Sequence, residues 1–236
     1  MEYNLLSVGT DAKTVKGEKF GYLTGILYLA PAKLSGYNVC PWSTPGCRKT
    51  CLNTAGKGAM NHVQLARIRK TMLFKEDPSK FLDALGRDII KLKRIAKKRK
   101  LTPCVRLNGT SDISWELHLE MKEYDIQFYD YTKNPNRMRM FLDPKAVWPS
   151  NYHLTFSLSE NKTIALGGII GVGNIAVVFD TKKGKPLPTT DMSIDVLDGD
   201  LSDLRFLDPP GHIIGLRAKG KARKDTSGFV VKSNQP

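Results

Sequence analysis

Short apolar runs rich in β-branched residues recur along this chain, and in its first two thirds a helical pattern separates them. That alternation restricts the fold more than any other feature. Strands are predicted at 21–29, 103–107, 126–131, 152–157, 174–179 and 212–217, with a weaker one at 193–197. Helices are predicted at 61–74, 78–99, 117–124 and 135–142. The second is the clearest, because Phe81, Leu82, Leu85, Ile89, Leu92 and Ile95 return every three or four residues behind an Asp77-Pro78 start. Strand alternating with helix implies an α/β protein, its parallel sheet curled into a partial or full (β/α) barrel, with a less regular C-terminal third. At 236 residues with 41% hydrophobic content, the chain suits one domain over 1–225, and 226–236 reads as a pendant segment.

In such folds the loops that follow the strands make the functional face. After the first strand comes Cys40-Pro41-Trp42-Ser43-Thr44-Pro45-Gly46-Cys47-Arg48-Lys49-Thr50-Cys51, which holds three of the chain's four cysteines. An odd trio cannot pair off internally as disulfides, and thiolates this close can converge on a soft metal or an iron–sulfur cluster. Zinc bound by the same cysteines and His62 is the competing metal reading, and a loop without metal stays open. Cys104 lies inside a strand and reads as a small core residue. His118, His153 and His212 read as structural. Gly167-Gly168-Ile169-Ile170-Gly171-Val172-Gly173 precedes a strand and lacks the Lys-Ser/Thr of a phosphate loop, so it reads as a connector.

The 37 basic residues against 23 acidic ones give a net charge of +14, which favours a polyanionic partner, either DNA or RNA. The excess gathers at 91–100, 182–185 and 217–224. The last run follows a strand directly, so Arg217, Lys219, Lys221 and Arg223 are the expected phosphate contacts. No finger or helix-turn-helix pattern appears, and no run is apolar enough to span a membrane. Few cysteines and no leader pattern point to the cytoplasm, that of the host cell if the chain is phage-encoded.

The cysteine loop, Cys-x6-Cys-x3-Cys with Ser-Thr-Pro-Gly before its second cysteine, resembles the atypical motif of phage radical S-adenosylmethionine (SAM)-like proteins, whose last spacing is one residue shorter. Val105-Arg106-Leu107-Asn108-Gly109-Thr110-Ser111-Asp112 resembles that group's strand ending in Ser-Asp. Phe128-Tyr129-Asp130-Tyr131-Thr132-Lys133-Asn134-Pro135-Asn136-Arg137-Met138 resembles its strand-and-helix signature, shared more distantly with spore photoproduct lyase-like enzymes. Over most of its length the chain also resembles the gene product eighty-eight family of mycobacteriophages.

The radical SAM resemblance implies a barrel of TIM type in which Cys40, Cys47 and Cys51 hold a [4Fe–4S] cluster whose open iron binds SAM. It also implies an electron-donor protein and hydrogen abstraction from a substrate. It places Asn108, Ser111 and Asp112 at the ribose or methionine, Thr132 and Lys133 at a carboxylate or the substrate, and Ser157 on the same rim. Asp112 and Lys133 are then the catalytic candidates. Two other functions compete. Asp112, Asp180, Asp198 and Asp200 leave room for a base exchange on DNA like that of tRNA-guanine transglycosylase, and a metal-stabilised nucleic-acid-binding protein needs no catalysis at all.

Overall fold

The computed structural model describes residues 4–9, 12–161 and 166–233. It shows a mixed α/β protein built on one sheet of ten strands, which strand pairing does not close. In chain order these are β1 (Leu6–Val8), β2 (Tyr22–Leu27), β3 (Thr102–Arg106), β4 (Gln127–Thr132), β5 (Tyr152–Ser157), β6 (Ile175–Phe179), β7 (Thr190–Asp191), β8 (Ile194–Asp198), β9 (Ile213–Arg217) and β10 (Val230–Val231). They lie in the order β1-β2-β3-β4-β5-β6-β9-β8-β7. All pairings from β2 to β8 are parallel, while β1 and β7 run antiparallel at the two edges.

The helices are α1 (Ala12–Glu18), α2 (Pro45–Lys49), α3 (Asn61–Glu76), α4 (Pro78–Arg99) and α5 (Pro135–Leu142). Helix α4 starts where Asp77 accepts a hydrogen bond from the Lys80 amide at 3.0 Å, with Pro78 in its first turn. It ends at Lys100, which takes a left-handed conformation. Its apolar stripe, Phe81, Leu85, Ile89 and Leu92, is buried against Leu23, Leu27, Val105 and Leu107 of the sheet. Each such side chain contributes roughly 1.5–3 kcal/mol of transfer free energy.

The opposite face of the sheet is filled differently. There a short 3₁₀ turn, Arg205–Leu207, carries Phe206 against Tyr22 and Tyr129, with ring centroids 5.2 and 5.4 Å apart. Cys104, Tyr129 and Leu204 form a small second core beside it. The Lys16 ammonium of α1 donates to the Asp200 carbonyl, so the regions flanking the two ends of the sheet approach one another.

Two expectations need correcting. The segment 117–124 forms no helix but two 3₁₀ turns, Trp115–Leu117 and Met121–Tyr124. The Trp115 indole is tied to Asn108 at 3.1 Å, and Leu119 and Met121 are both buried, although two residues apart they would lie on nearly opposite sides of a helix. The stretch after 225 is not pendant in its described part, because β10 pairs with β6 through Val230↔Val178 and Val231↔Phe179. Strand β5 pairs with β6 only at Ile175 and Ala176, and β10 occupies the edge that β5 leaves further along. Strands β1 and β7 and helices α1 and α2 were not anticipated, being two to seven residues long and too short to show a period.

Candidate functional site

Because the strands from β2 to β8 are parallel, their C-terminal ends share one edge, and the loops leaving that edge surround a cavity of about 290 Å³. Cys40, Cys47 and Cys51 all line it, together with Arg106, Asn108, Ser111, Asp112, Thr132, Lys133 and Ser157. The structure therefore gathers the predicted metal, cofactor and catalytic residues around one space.

The cysteine loop is held from several sides. Cys40 sulfur accepts from the Ala32 amide at 3.3 Å, and the Asp112 amide donates to the Val39 carbonyl at 2.8 Å. Thr44 caps α2, its hydroxyl accepting from the Cys47 amide at 3.3 Å. Glu160, from the loop after β5, then clasps this turn. It accepts from the Thr44 hydroxyl at 2.6 Å and from the Gly46 amide at 2.7 Å. A side chain at Gly46 would fall on Ser227 Oγ and on the Glu160 carboxylate, so only glycine admits the clasp. Burial pushes the Glu160 carboxyl up, but the Thr44 and Gly46 hydrogen bonds outweigh it and hold the group below the usual range.

All four cysteines are free, and the three loop thiols are half-buried. Desolvation pushes all three thiols up, Cys40 to about 12. The positive charge of Lys133 opposes the shift at Cys47, and a backbone hydrogen bond and the charge of Arg67 oppose it at Cys51. Arg67 reaches across from α3, stacked over the Tyr28 ring at 4.8 Å and bonded to Asn53. His62 is exposed on the first turn of α3 and does not line the cavity, so the zinc reading lacks its fourth ligand. Among the described residues no three His, Cys, Asp or Glu side chains stand where together they could hold a metal ion. Cys104 is fully buried and shares a hydrogen bond with Thr24 at 3.3 Å, as a core residue does.

Lys133 is fixed rather than mobile. Its ammonium donates to Ser157 Oγ at 3.0 Å and to the Ser157 and Leu158 carbonyls at 3.1 and 3.0 Å, with the Phe229 ring centroid 4.9 Å away. Burial lowers its proton affinity, while the nearby Cys47 and Asp112 charges act the other way. Asp112 accepts from the Lys133 amide at 2.8 Å and stands 3.6 Å from the Arg137 guanidinium. Desolvation still keeps its carboxyl above the usual range.

Asn108 holds its own loop together. Its side-chain oxygen accepts from Ser111 Oγ, the Ile113 amide and the Trp115 indole at 2.8, 3.0 and 3.1 Å, and its amide donates to the Ile113 carbonyl at 2.9 Å. Asn108 and Thr132 are thus buried organisers of the rim, whereas Ser111 and Ser157 are partly exposed at the cavity. Gly109 lets this loop cross β2, since a Cβ there would stand 2.6 Å from Tyr28 and 2.7 Å from the Leu27 carbonyl.

The basic run after β9 is largely spoken for. Arg217 pairs with Asp198 at 2.9 Å and Asp200 at 3.2 Å, and Lys219 pairs with Asp200 at 2.6 Å. Lys221 and Arg223 remain exposed. The same pairs occupy two of the carboxylates considered for base exchange, and a third, Asp180, accepts from the Ser233 amide and hydroxyl at 2.7 and 2.6 Å.

Several residues around the site escaped the sequence reading. Arg137 is buried and grips Glu116 with two hydrogen bonds, at 2.8 and 2.6 Å, as well as Tyr152 at 2.5 Å. Tyr152 in turn donates to Asp130 at 2.7 Å, and burial pushes the Asp130 carboxyl up to about 7. Arg106 pairs with Asp203 at 2.8 Å and stacks over Tyr131 at 4.6 Å, forming one wall of the cavity. Arg106, Asp130 and Arg137 all lie inside the segments that carried the family resemblance. A charge within a strand was the signal for Arg106 and Asp130, whereas Arg137 lies on α5.

A family model described as Gene product 88 matches residues 4–233, nearly the whole chain. The chain belongs to this family. Comparison with curated proteins and with solved structures gives no match. The family match runs through the cysteine loop, the Asp112–Lys133 rim and β10 alike, so the cavity falls entirely within the family's span. No helix among the described residues is long and apolar enough to cross a membrane.

Proposed function

We propose that this member of the gene product 88 family is an iron–sulfur protein that acts in the manner of radical SAM enzymes, from a partial β/α barrel. The observation that carries the reading is that three free thiols line one cavity at the C-terminal edge of a parallel sheet, although in this structure they do not together frame a site for a single metal ion. Soft thiolates suit iron–sulfur ligation better than a hard cation, and three of them leave one iron of a [4Fe–4S] cluster unligated by protein. Cys40, Cys47 and Cys51 would hold the cluster. When bound, it supplies one electron and an open site for a chelating ligand such as SAM.

The chain's own residues prepare the rest of the cavity. Lys133, pinned by Ser157 and Leu158, offers a fixed positive charge suited to a ligand carboxylate. Asp112 and Ser111 face the same space and suit hydroxyl or ammonium groups. Phe229 covers Lys133 and keeps water from that side. The Arg106–Asp203 pair and Tyr131 close the wall below.

Protein purified without oxygen is expected to carry iron and acid-labile sulfide in equal amounts, to lose both in a Cys47→Ala variant, and to form 5′-deoxyadenosine from SAM after reduction. One equivalent of zinc without iron would overturn the metal assignment. Iron and sulfide without SAM cleavage would leave an electron-transfer protein instead.

A further inference from the structure

A row of unpaired positive charges lies away from the cavity, on α4. Its Arg87, Lys91, Arg94 and Lys98 are spaced four, three and four residues apart, which places them within one narrow arc of the helix over about 16 Å. All four are exposed. No carboxylate among the described residues pairs with any of them, and Lys91 reaches only the neutral Asn4 side chain at 3.5 Å. Neither carboxylate of α4 forms an ion pair with the stripe. Asp83 is one turn before the stripe begins, and Asp88 is occupied by the Leu5 and Leu6 amides at 2.5 and 2.9 Å.

This arrangement differs from an ordinary solvated helix face. Exposed faces usually interleave the two signs, because like charges three and four residues apart oppose helix formation. The cations of the last turn, Lys97 and Lys98 with Arg99, complement the helix dipole, but Arg87, Lys91 and Arg94 sit too far back to benefit. Arg99 in any case spends its charge on Glu18 at 2.5 Å. The mid-helix stripe therefore carries a repulsion that no ion pair among the described residues relieves. The rim cations Arg217 and Lys219, by contrast, are neutralised by Asp198 and Asp200.

From this we infer that the α4 stripe is a docking surface for the phosphate backbone of nucleic acid, and that the rim after β9 is not. A row of unpaired cations along a straight helix matches a row of phosphodiester charges and needs no base readout. A lipid surface fits less well. The apolar face of α4 is buried in the core, and Ile90 is its one exposed large apolar side chain. The stripe faces away from the sheet on the helix-covered side, so binding there does not depend on the metal assignment.

Fluorescence anisotropy with labelled 20-base-pair DNA and RNA duplexes tests the inference on the full chain. Arg87→Gln, Lys91→Gln, Arg94→Gln and Lys98→Gln combined should weaken binding at least tenfold near 0.1 M salt and reduce the slope of log K against log salt by about 3. A control that removes as many exposed charges from the other face, Lys182→Gln, Lys183→Gln, Lys221→Gln and Lys224→Gln, should weaken it less than threefold. Glutamine keeps helix propensity, and circular dichroism confirms the fold of both variants. Equal losses in the two variants would reduce the effect to net charge and overturn the assignment. So would unchanged binding in the stripe variant, or sedimentation with anionic phospholipid vesicles without binding to either duplex. Single variants Lys91→Gln and Arg94→Gln, each losing roughly twofold to threefold, provide the same reading if the quadruple variant misfolds.

Discussion

The part of the chain from β2 to β5 and the part from β6 to β10 build one sheet in two different ways. In the first, α3 and α4 join β2 to β3, α5 joins β4 to β5, and the β3–β4 connection runs through 3₁₀ turns without a helix; the helices cover one face of the sheet. In the second, turns and 3₁₀ segments do the joining, and the strands pair without helical cover of their own. The chemistry is divided along the same line. All three loop cysteines, Arg106, Asp112 and Lys133 come from the first part. The second part supplies what holds or closes: Asp203 against Arg106, the Asp198–Asp200–Arg217 cluster, and Phe229 over Lys133. Glu160, in the loop between them, fastens the cysteine turn. Reactive groups thus sit where backbone and helix packing fix them most firmly, and the more irregular part shapes the space around them.

Breaking the first part should cost most. Arg137→Ala leaves Glu116, Asp112 and the Tyr152 hydroxyl without their buried partner, so a loss of about 3–5 kcal/mol in urea unfolding is expected. A loss under about 1 kcal/mol would mean that this network does not brace the rim.

Cutting the connection between the parts should cost less. Glu160→Ala removes two hydrogen bonds to the cysteine turn, and a loss of about 1–3 kcal/mol is expected, with faster proteolysis near Arg48 and Lys49. Unchanged cleavage there would show that the turn holds itself.

A further effect is a pH dependence read as a difference from the parent chain. Asp130 has its folded pKa raised to about 7, so its contribution is full below about pH 4 and is lost as pH rises towards 7. Asp130→Asn should therefore gain stability relative to the parent over that rise. His153, on the border strand β5, is lowered to about 4 by burial and then by the Arg205 charge, and its contribution is lost as pH falls from about 6.5 to 4. His153→Gln should gain relative to the parent over that fall. Thermal unfolding at several pH values reads both, and a flat difference in either case removes the assigned shift.

Sequence periodicity made the first part legible. The apolar stripe of α4 and its Asp77-Pro78 start mark that helix to the residue. The cysteine loop, Asp112 and Lys133 were legible because they follow strands. The second part was less so, because β7 and β10 are two residues each and take their order from partners far along the chain. Long-range ion pairs were hidden for the same reason. Nothing local to Arg106 announces Asp203, ninety-seven residues later, and nothing local to Arg217 shows that its charge is already used. A basic run in sequence counts charges but not their partners, and that is why the rim was expected to bind phosphate.

The strand order also has a kinetic side. Strands β2 to β6 lie beside one another in the order they occur along the chain, but β9 must enter between β6 and the earlier-made β8. Until it does, the edge of β6, carrying Ile175, Val177 and Phe179, has no neighbour on that side, and the β7–β8 hairpin has nowhere to dock. An unpaired apolar edge is the part of a folding chain most prone to capture by another copy. Variants that weaken the pairing of β9 with β6 are therefore expected to aggregate during refolding more readily than they lose activity of the folded state.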